Sequence, residues 1–351
     1  MAIYDSKTYI ADIQRVLENF DFQRVLKDKS VLITGASGLI CSSIADILFF
    51  LNETYNTNIQ VYVAGRNEEK MAVRFTKFQN RPYYHYVYYD ATQQNKFPSK
   101  VNYIIHGASN AYPSKYQSYP VETMLANFSA LRELLEYSRM CGAERLLFIS
   151  SSEIYGKKNN DKPYLEDEYG YIDILNVKSC YSNSKRAAET LCTCYSKEYN
   201  VNSIIVRPGH IYGPTASRSD TRVSSAFAFD AADGKKIILK SDGKQVRSYC
   251  YMLDAATAIL SVILYGNNNE AYNISNPGSI VCIKDMAEIY AKVAGVNLSF
   301  DIPSSDEKKQ FNPMNNSSLD SKKLLSIGWL GLFNAPTGFE HTIKIIKEAN
   351  L

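Results

Sequence analysis

Hydrophobic positions fall into two rhythms along this chain. In residues 1–28, Ile10, Ile13, Val16 and Leu17 recur at three- and four-residue intervals, the spacing of one helix face, and predict a helical N-terminal extension. Residues 30–35, Ser-Val-Leu-Ile-Thr-Gly, form a short uninterrupted apolar run, as in a strand buried on both faces. A helix rich in Ile, Leu and Phe follows at 36–51. The alternation continues with strands at 60–64, 83–89, 103–106, 145–150 and 203–207 and helices at 120–140 and 181–199. This order predicts an α/β protein with a parallel sheet wrapped by helices on both faces. Past Gly213 the rhythm loosens, which predicts a smaller mixed lobe over the carboxyl edge of the sheet. No Pro/Gly-rich linker separates the two. The expected division is therefore an extension at 1–28, a sheet domain at 29–213 and a lobe at 214–351, partly interleaved with the sheet domain.

The first strand runs into Thr34-Gly35-Ala36-Ser37-Gly38-Leu39-Ile40-Cys41. Glycines at a strand-to-helix turn let the backbone approach a pyrophosphate, and the helix start offers free N–H groups and a partial positive charge. Gly35, Ser37, Gly38, Leu39 and Ile40 are therefore cofactor-binding candidates. A third glycine is expected at position 41, where Cys41 stands as a small substitute. After the second strand comes Ala64-Gly65-Arg66-Asn67, with no carboxylate to hold the ribose hydroxyls that favour NAD. Arg66 suits the 2′-phosphate of NADP, or stacking on adenine. Asp90, after the third strand, is a candidate for the adenine edge. In His106-Gly107-Ala108-Ser109 the small residues leave room for a dinucleotide beside Ala108, and His106 reads as a packing residue.

Ser150-Ser151-Ser152-Glu153-Ile154-Tyr155-Gly156 ends the fifth strand, and Tyr181-Ser182-Asn183-Ser184-Lys185 opens the next long helix. Tyr181 and Lys185 are i, i+4 and share a helix face. A phenol has an ordinary pKa near ~10, too high for a base at neutral pH. Positive charge beside it, from Lys185 together with an oxidised nicotinamide, favours the phenolate. Tyr181 could then take a proton from a sugar hydroxyl while Ser151 hydrogen-bonds the same oxygen.

Composition narrows the classes. Hydrophobic residues make up 45% and charged residues 21%, which excludes disordered and fibrous chains. A net charge of +3 calls for neither a nucleic-acid nor a membrane partner. No apolar run reaches the ~18 residues of a membrane helix. The N-terminal residues lack a basic start and apolar stretch, so a cytoplasmic location is expected. Seven Cys without a CxxC pair fit a reducing compartment and predict no metal site.

Together these residues resemble an extended short-chain dehydrogenase/reductase of the nucleotide-sugar epimerase, dehydratase and decarboxylase group, over roughly residues 29–330. The stretches most similar to UDP-glucuronate decarboxylases are Ser151 to Gly156, Ser179 to Leu191, Arg222 to Phe227 and Gln245 to Tyr249. The resemblance implies a Rossmann-type doubly wound sheet, NAD as cofactor, a nucleotide-sugar substrate and a homodimer. It assigns Ser151, Tyr181 and Lys185 to hydride chemistry, Glu153 to acid/base work, and Tyr181, Lys185 and Pro208 to the cofactor. It places Ser152, His210, Arg222 and Arg247 towards the substrate, and gives Asn127 a structural role. The implied reaction is oxidation at sugar C4 followed by decarboxylation. A 4,6-dehydratase, a 4-epimerase and a non-catalytic dinucleotide-binding regulator are the alternatives. His210 replaces the decarboxylases' usual Asn near the diphosphate, and Ser152 stands where glucose-type dehydratases carry Asp.

Overall fold

A computed structural model describes residues 3–109, 111–301 and 314–351. Seven strands form one parallel sheet in the order β10-β6-β5-β4-β1-β2-β3. They are β1 (Ser30–Thr34), β2 (Gln60–Gly65), β3 (Tyr84–Tyr88), β4 (Tyr103–His106), β5 (Arg145–Ile149), β6 (Ser203–Pro208) and β10 (Ala271–Ile274). Two small sheets complete the strands. One joins β7 (His210–Tyr212), β9 (Val246–Tyr251) and β11 (Ile280–Cys282), the other β8 (Ile237–Leu239) and β12 (Leu298–Phe300). The helices are α1 (Lys7–Asn19), α2 (Phe22–Leu26), α3 (Leu39–Tyr55), α4 (Glu68–Arg74), α5 (Pro113–Ser118), α6 (Pro120–Cys141), α7 (Cys180–Tyr199), α8 (Val223–Ala232), α9 (Met252–Tyr265), α10 (Ile283–Ala294), α11 (Lys322–Ser326) and α12 (Ala335–Ala349).

Side chains alternate across each strand, so the large sheet feeds two cores. Val31, Ile33, Val61, Leu147 and Val206 face a layer built by α3 and α9. Leu32, Ile104, Leu146 and Phe148 face the other side, against Leu131 and Leu134 of α6 and Ala188 and Cys192 of α7. Burial on both faces explains why these strands read as continuous apolar runs. This is the doubly wound Rossmann-type sheet that the alternation predicts, with a smaller mixed lobe.

The helix expected from residue 36 begins at Leu39, because Gly35 has φ +70° and Gly38 is the extended N-cap. The chain also re-enters the large sheet late. After β7, α8, β8 and β9 it returns as α9 and β10, and β10 pairs with β6. In the N-terminal segment Ser6 caps α1 by accepting from Tyr9 N at 3.0 Å. Buried Asp12 accepts from the Tyr251 hydroxyl at 3.0 Å and lies 2.8 Å from Nδ1 of His341 on α12. No helix among the described residues is long and apolar enough to cross a membrane.

Candidate active site

Strand order reverses between β1 and β4, and a crevice opens there at the carboxyl edge of the sheet. Its floor is two backbone turns in contact. A Cβ on Gly35 would sit 2.9 Å from the N and Cα atoms of Ala108. Together with its left-handed φ, that makes glycine the residue Gly35 has to be. No side chain caps the N-terminus of α3, so its first N–H groups stay free to face an anion. Gly35, Gly38, Leu39 and Ile40 line a cavity of about 930 Å³. The missing third glycine is offset across the turn. A Cβ on Gly107 would come within 2.3 Å of Cys41 Sγ, so Gly107 gives up the room that Cys41 takes. Two backbone turns and an uncapped helix start fit a dinucleotide pyrophosphate.

His106 is buried beneath this floor, 2.7 Å from the Thr34 hydroxyl through Nδ1. Burial and the Lys185 cation push it down to about 3, so it is a neutral packing residue, as its sequence context suggests. Ser37, Arg66, Asp90 and Ala108 do not line the cavity. Arg66 is exposed at the end of β2. Burial raises the Asp90 carboxyl, but the two Thr92 hydrogen bonds and, after them, the Arg66 charge outweigh it and hold the group below its usual range. Asp90 Oδ1 accepts from Thr92 N at 2.9 Å and from its hydroxyl at 2.8 Å, so that oxygen caps its own turn.

The loop after β5 and the start of α7 form the middle of the cavity. Ser151, Ser152, Glu153, Tyr181 and Lys185 all line it. Arg186 holds the loop by donating to the carbonyl of Ile154 at 2.6 Å. A hydrogen-bond chain sets α7 against α6. Ser109 donates to Asn127 Oδ1 at 2.7 Å, Asn127 Nδ2 to Ser184 Oγ at 3.0 Å, and Ser184 Oγ to the carbonyl of Tyr181 at 2.9 Å. Lys185 is buried, and its Nζ donates to the carbonyl of Ile149 at 2.8 Å. Burial drives it down to about 7.

Tyr181 is pushed up to about 12 by burial, with Glu153 adding to the rise; a hydrogen bond with Ser151 and the charge of Arg222 pull it down. Two cations stand near the phenol, Lys185 on its own helix and Arg222 on the lobe. The Lys185 ammonium is 5.8 Å from the centre of the Tyr181 ring and is disfavoured by burial, and the charge of Arg222 lowers the phenol from the lobe.

The far wall carries Pro208, His210, Arg222 and Arg247. Arg222 binds Asp220 through 2.9 and 2.6 Å contacts, with its guanidinium 5.4 Å from the ring centre of Tyr112. Arg247 is buried and donates to the carbonyls of Val246 at 2.8 Å and Asn315 at 3.5 Å, with no ion pair among the described residues. Its charge opposes the rise that burial gives the Glu153 carboxyl. His210 packs edge-on to Tyr249, and burial with both arginines pushes it down to about 3. Sequence reasoning did not single out Tyr112, Tyr116, Lys236, Lys240 or Gln245, which also line the cavity. Gln245 lies inside one of the resembling stretches; the two lysines carry no spacing signal.

A model of the NAD dependent epimerase/dehydratase family matches residues 31–275. The chain belongs to this family and is an NAD-using enzyme of its class. It is 30% identical to UDP-glucuronic acid decarboxylase 3 of Arabidopsis thaliana, over 81% of this chain and 80% of that protein. Its fold is similar to that of UDP-glucose 4-epimerase from Thermotoga maritima, with a TM-score of 0.76 at 20% identity, covering 92% of this chain and all of the other. It is also similar to dTDP-glucose 4,6-dehydratase from Bacillus anthracis, with a TM-score of 0.74 at 18% identity over 91% and 97% of the two chains.

Proposed function

We propose that this enzyme oxidises C4 of a nucleotide-linked uronic acid, UDP-glucuronate, and then decarboxylates it. The observation that carries the reading is Arg247, a buried guanidinium on the cavity wall without an ion-pair partner among the described residues, electrostatically coupled to Glu153. A guanidinium fits a carboxylate by two parallel hydrogen bonds. The wider lining agrees with an anionic ligand. Lys185, Arg222, Lys236, Lys240 and Arg247 outnumber Glu153 and Asp230.

Gly35, Gly38, Leu39 and Ile40 would hold the dinucleotide pyrophosphate, and Pro208 and Lys185 would meet its nicotinamide end. Bound NAD would supply the oxidant at C4 and, after carbon dioxide has left, the reductant that restores the C4 alcohol, so that the net reaction consumes no oxidant. Tyr181 takes the C4 hydroxyl proton, and Ser151 hydrogen-bonds the same oxygen. Arg222 and Lys185 add positive charge around the phenolate that this requires. Ser152 and His210 contact the substrate beside them. Arg247 holds the C5 carboxylate out of the ring plane. Loss of carbon dioxide then sends the bonding electrons into the C4 ketone. Glu153, whose carboxyl is raised above its usual range by its surroundings, gives a proton to C5, and Tyr181 returns its proton to the C4 oxygen as the C4 alcohol is restored.

Incubation with UDP-glucuronate is expected to release carbon dioxide and a UDP-pentose, and Arg247→Ala to lose most of that activity. A 6-deoxy-4-keto product from a neutral nucleotide hexose, with UDP-glucuronate untouched, identifies a dehydratase instead. Simple C4 inversion identifies an epimerase.

A further inference from the structure

One wall of the cavity was invisible to motif reasoning. Tyr112 immediately precedes α5 and Tyr116 lies within it, four residues on; Tyr116 N donates to the carbonyl of Tyr112 at 3.1 Å, so the two share one face at the start of the helix. That face reaches two different parts of the site. The Tyr116 ring lies nearly parallel to the Tyr181 ring, with centroids 5.3 Å apart and planes 12° off. The Tyr112 ring lies beneath the Arg222 guanidinium. At the start of α7, Cys180 Sγ donates to the carbonyl of Tyr116 at 3.5 Å and ties α5 to the helix that carries Tyr181.

We infer that Tyr116 is a positioning residue for Tyr181: its ring fixes the plane of the phenol and covers one face against water, while Tyr112 anchors the same helix on Arg222. The two rings form one clasp between the sheet side and the lobe side of the site. Offset stacking of this kind is favoured beyond the burial of the rings. The phenol can otherwise swing about its χ angles. A displacement near 1 Å at a reacting group costs as much as about 100-fold in rate. The groups facing Tyr181 are Ser151 and Glu153 from the loop after β5, Arg222 from the lobe, Lys185 from its own helix and Tyr116 from α5. Of these, Tyr116 contributes an aromatic face. The role assigned to its ring leaves the Tyr116 hydroxyl out of the chemistry.

The inference rests on Tyr181 being the base, so Tyr181→Phe is measured alongside. Tyr116→Ala is expected to lower kcat about 10- to 100-fold with KM within about threefold. Tyr116→Phe should restore kcat to within about threefold of the parent, because it keeps the ring. The acid limb of the kcat profile should move to lower pH in Tyr116→Ala, since water reaching the phenol relieves the burial that raises it, and stay in place in Tyr116→Phe. A signature independent of turnover is the Tyr181 ring resonance in protein carrying 13C-labelled tyrosine, identified by its loss in Tyr181→Phe. It should shift in Tyr116→Ala at neutral pH and hold in Tyr116→Phe. The inference is overturned if Tyr116→Phe is as slow as Tyr116→Ala, if the Ala variant loses only KM, or if its Tyr181 resonance does not move. Full activity in Tyr181→Phe would instead overturn the catalytic reading, and with it the positioning role of Tyr116.

Discussion

The two sides of the cavity are built from different materials. The sheet side is backbone: Gly35 against Ala108, the uncapped start of α3, and Gly107 making room for Cys41. Its geometry is set by what is missing from side chains. The lobe side is side-chain charge, each group held by a local partner: Arg222 by Asp220 and Tyr112, Arg247 by two carbonyls, His210 by Tyr249. A backbone cradle fits one shape of ligand and tolerates almost no added atom. A set of oriented charges can be re-aimed one residue at a time.

The sharpest way to break the comparison lies where the two sides meet. Tyr181→Phe keeps the ring and removes the oxygen. Turnover should fall about 10²–10⁴-fold, the usual scale for an acid/base group, with NAD still released on denaturation. Loss of NAD together with activity would mean that the residue belongs to the cradle.

Next comes the cradle itself. Gly107→Ala should destabilise the protein by about 1–3 kcal/mol in urea unfolding, since the new methyl meets Cys41 Sγ in a packed site. Adding Cys41→Gly should recover most of that loss. No recovery would mean that the two residues do not share one space.

Acid tests the layer below. The folded protein holds His106 near 3, whereas an unfolded His titrates near ~6.5. Above ~6.5 neither state is protonated and His106 contributes no pH dependence. Between ~6.5 and 3 only the unfolded chain binds the proton, so stability falls with pH by up to about 1.4 kcal/mol per unit from this group. Urea midpoints at pH 7 and pH 5 should show the drop, and His106→Asn should reduce it. The smallest effect belongs to Arg66. It is exposed, so Arg66→Ala should weaken NADP by no more than about fivefold and leave NAD unchanged. Equal losses for both would show that Arg66 does not read the 2′-phosphate.

The same contrast explains what could be read from sequence. β1 and its turn are legible because a strand buried on both faces leaves an unbroken apolar run, and because glycine at Gly35 has a steric cause. Tyr181 and Lys185 are legible because one helix turn relates them. Arg222 and Arg247 became candidates only through resemblance to a family; nothing in their own spacing marks them. Tyr112, Tyr116, Lys236 and Lys240 converge from elements far apart in the chain, and no periodicity encodes convergence. The burial that disfavours the Lys185 ammonium, and the reach of Arg222 to Tyr181, are not properties of spacing. The return of β10 was also hidden, since the four residues Ala-Tyr-Asn-Ile show little alternation.

That return has a mechanical consequence. The chain leaves the large sheet at Gly209, comes back through α9 and β10, and leaves again after Ile274, where the Gly209 N–H donates to the Ile274 carbonyl at 3.1 Å. The outgoing and returning segments are thus stapled to each other at the border. Pulling the lobe away would strip β10 off β6, and melting the sheet would cut the lobe's own supports. The two bodies should therefore unfold as one cooperative unit, with a single calorimetric transition and no protease-resistant fragment of either half. The cavity between them behaves as a seam sewn through both layers rather than as a gap between two parts on a tether.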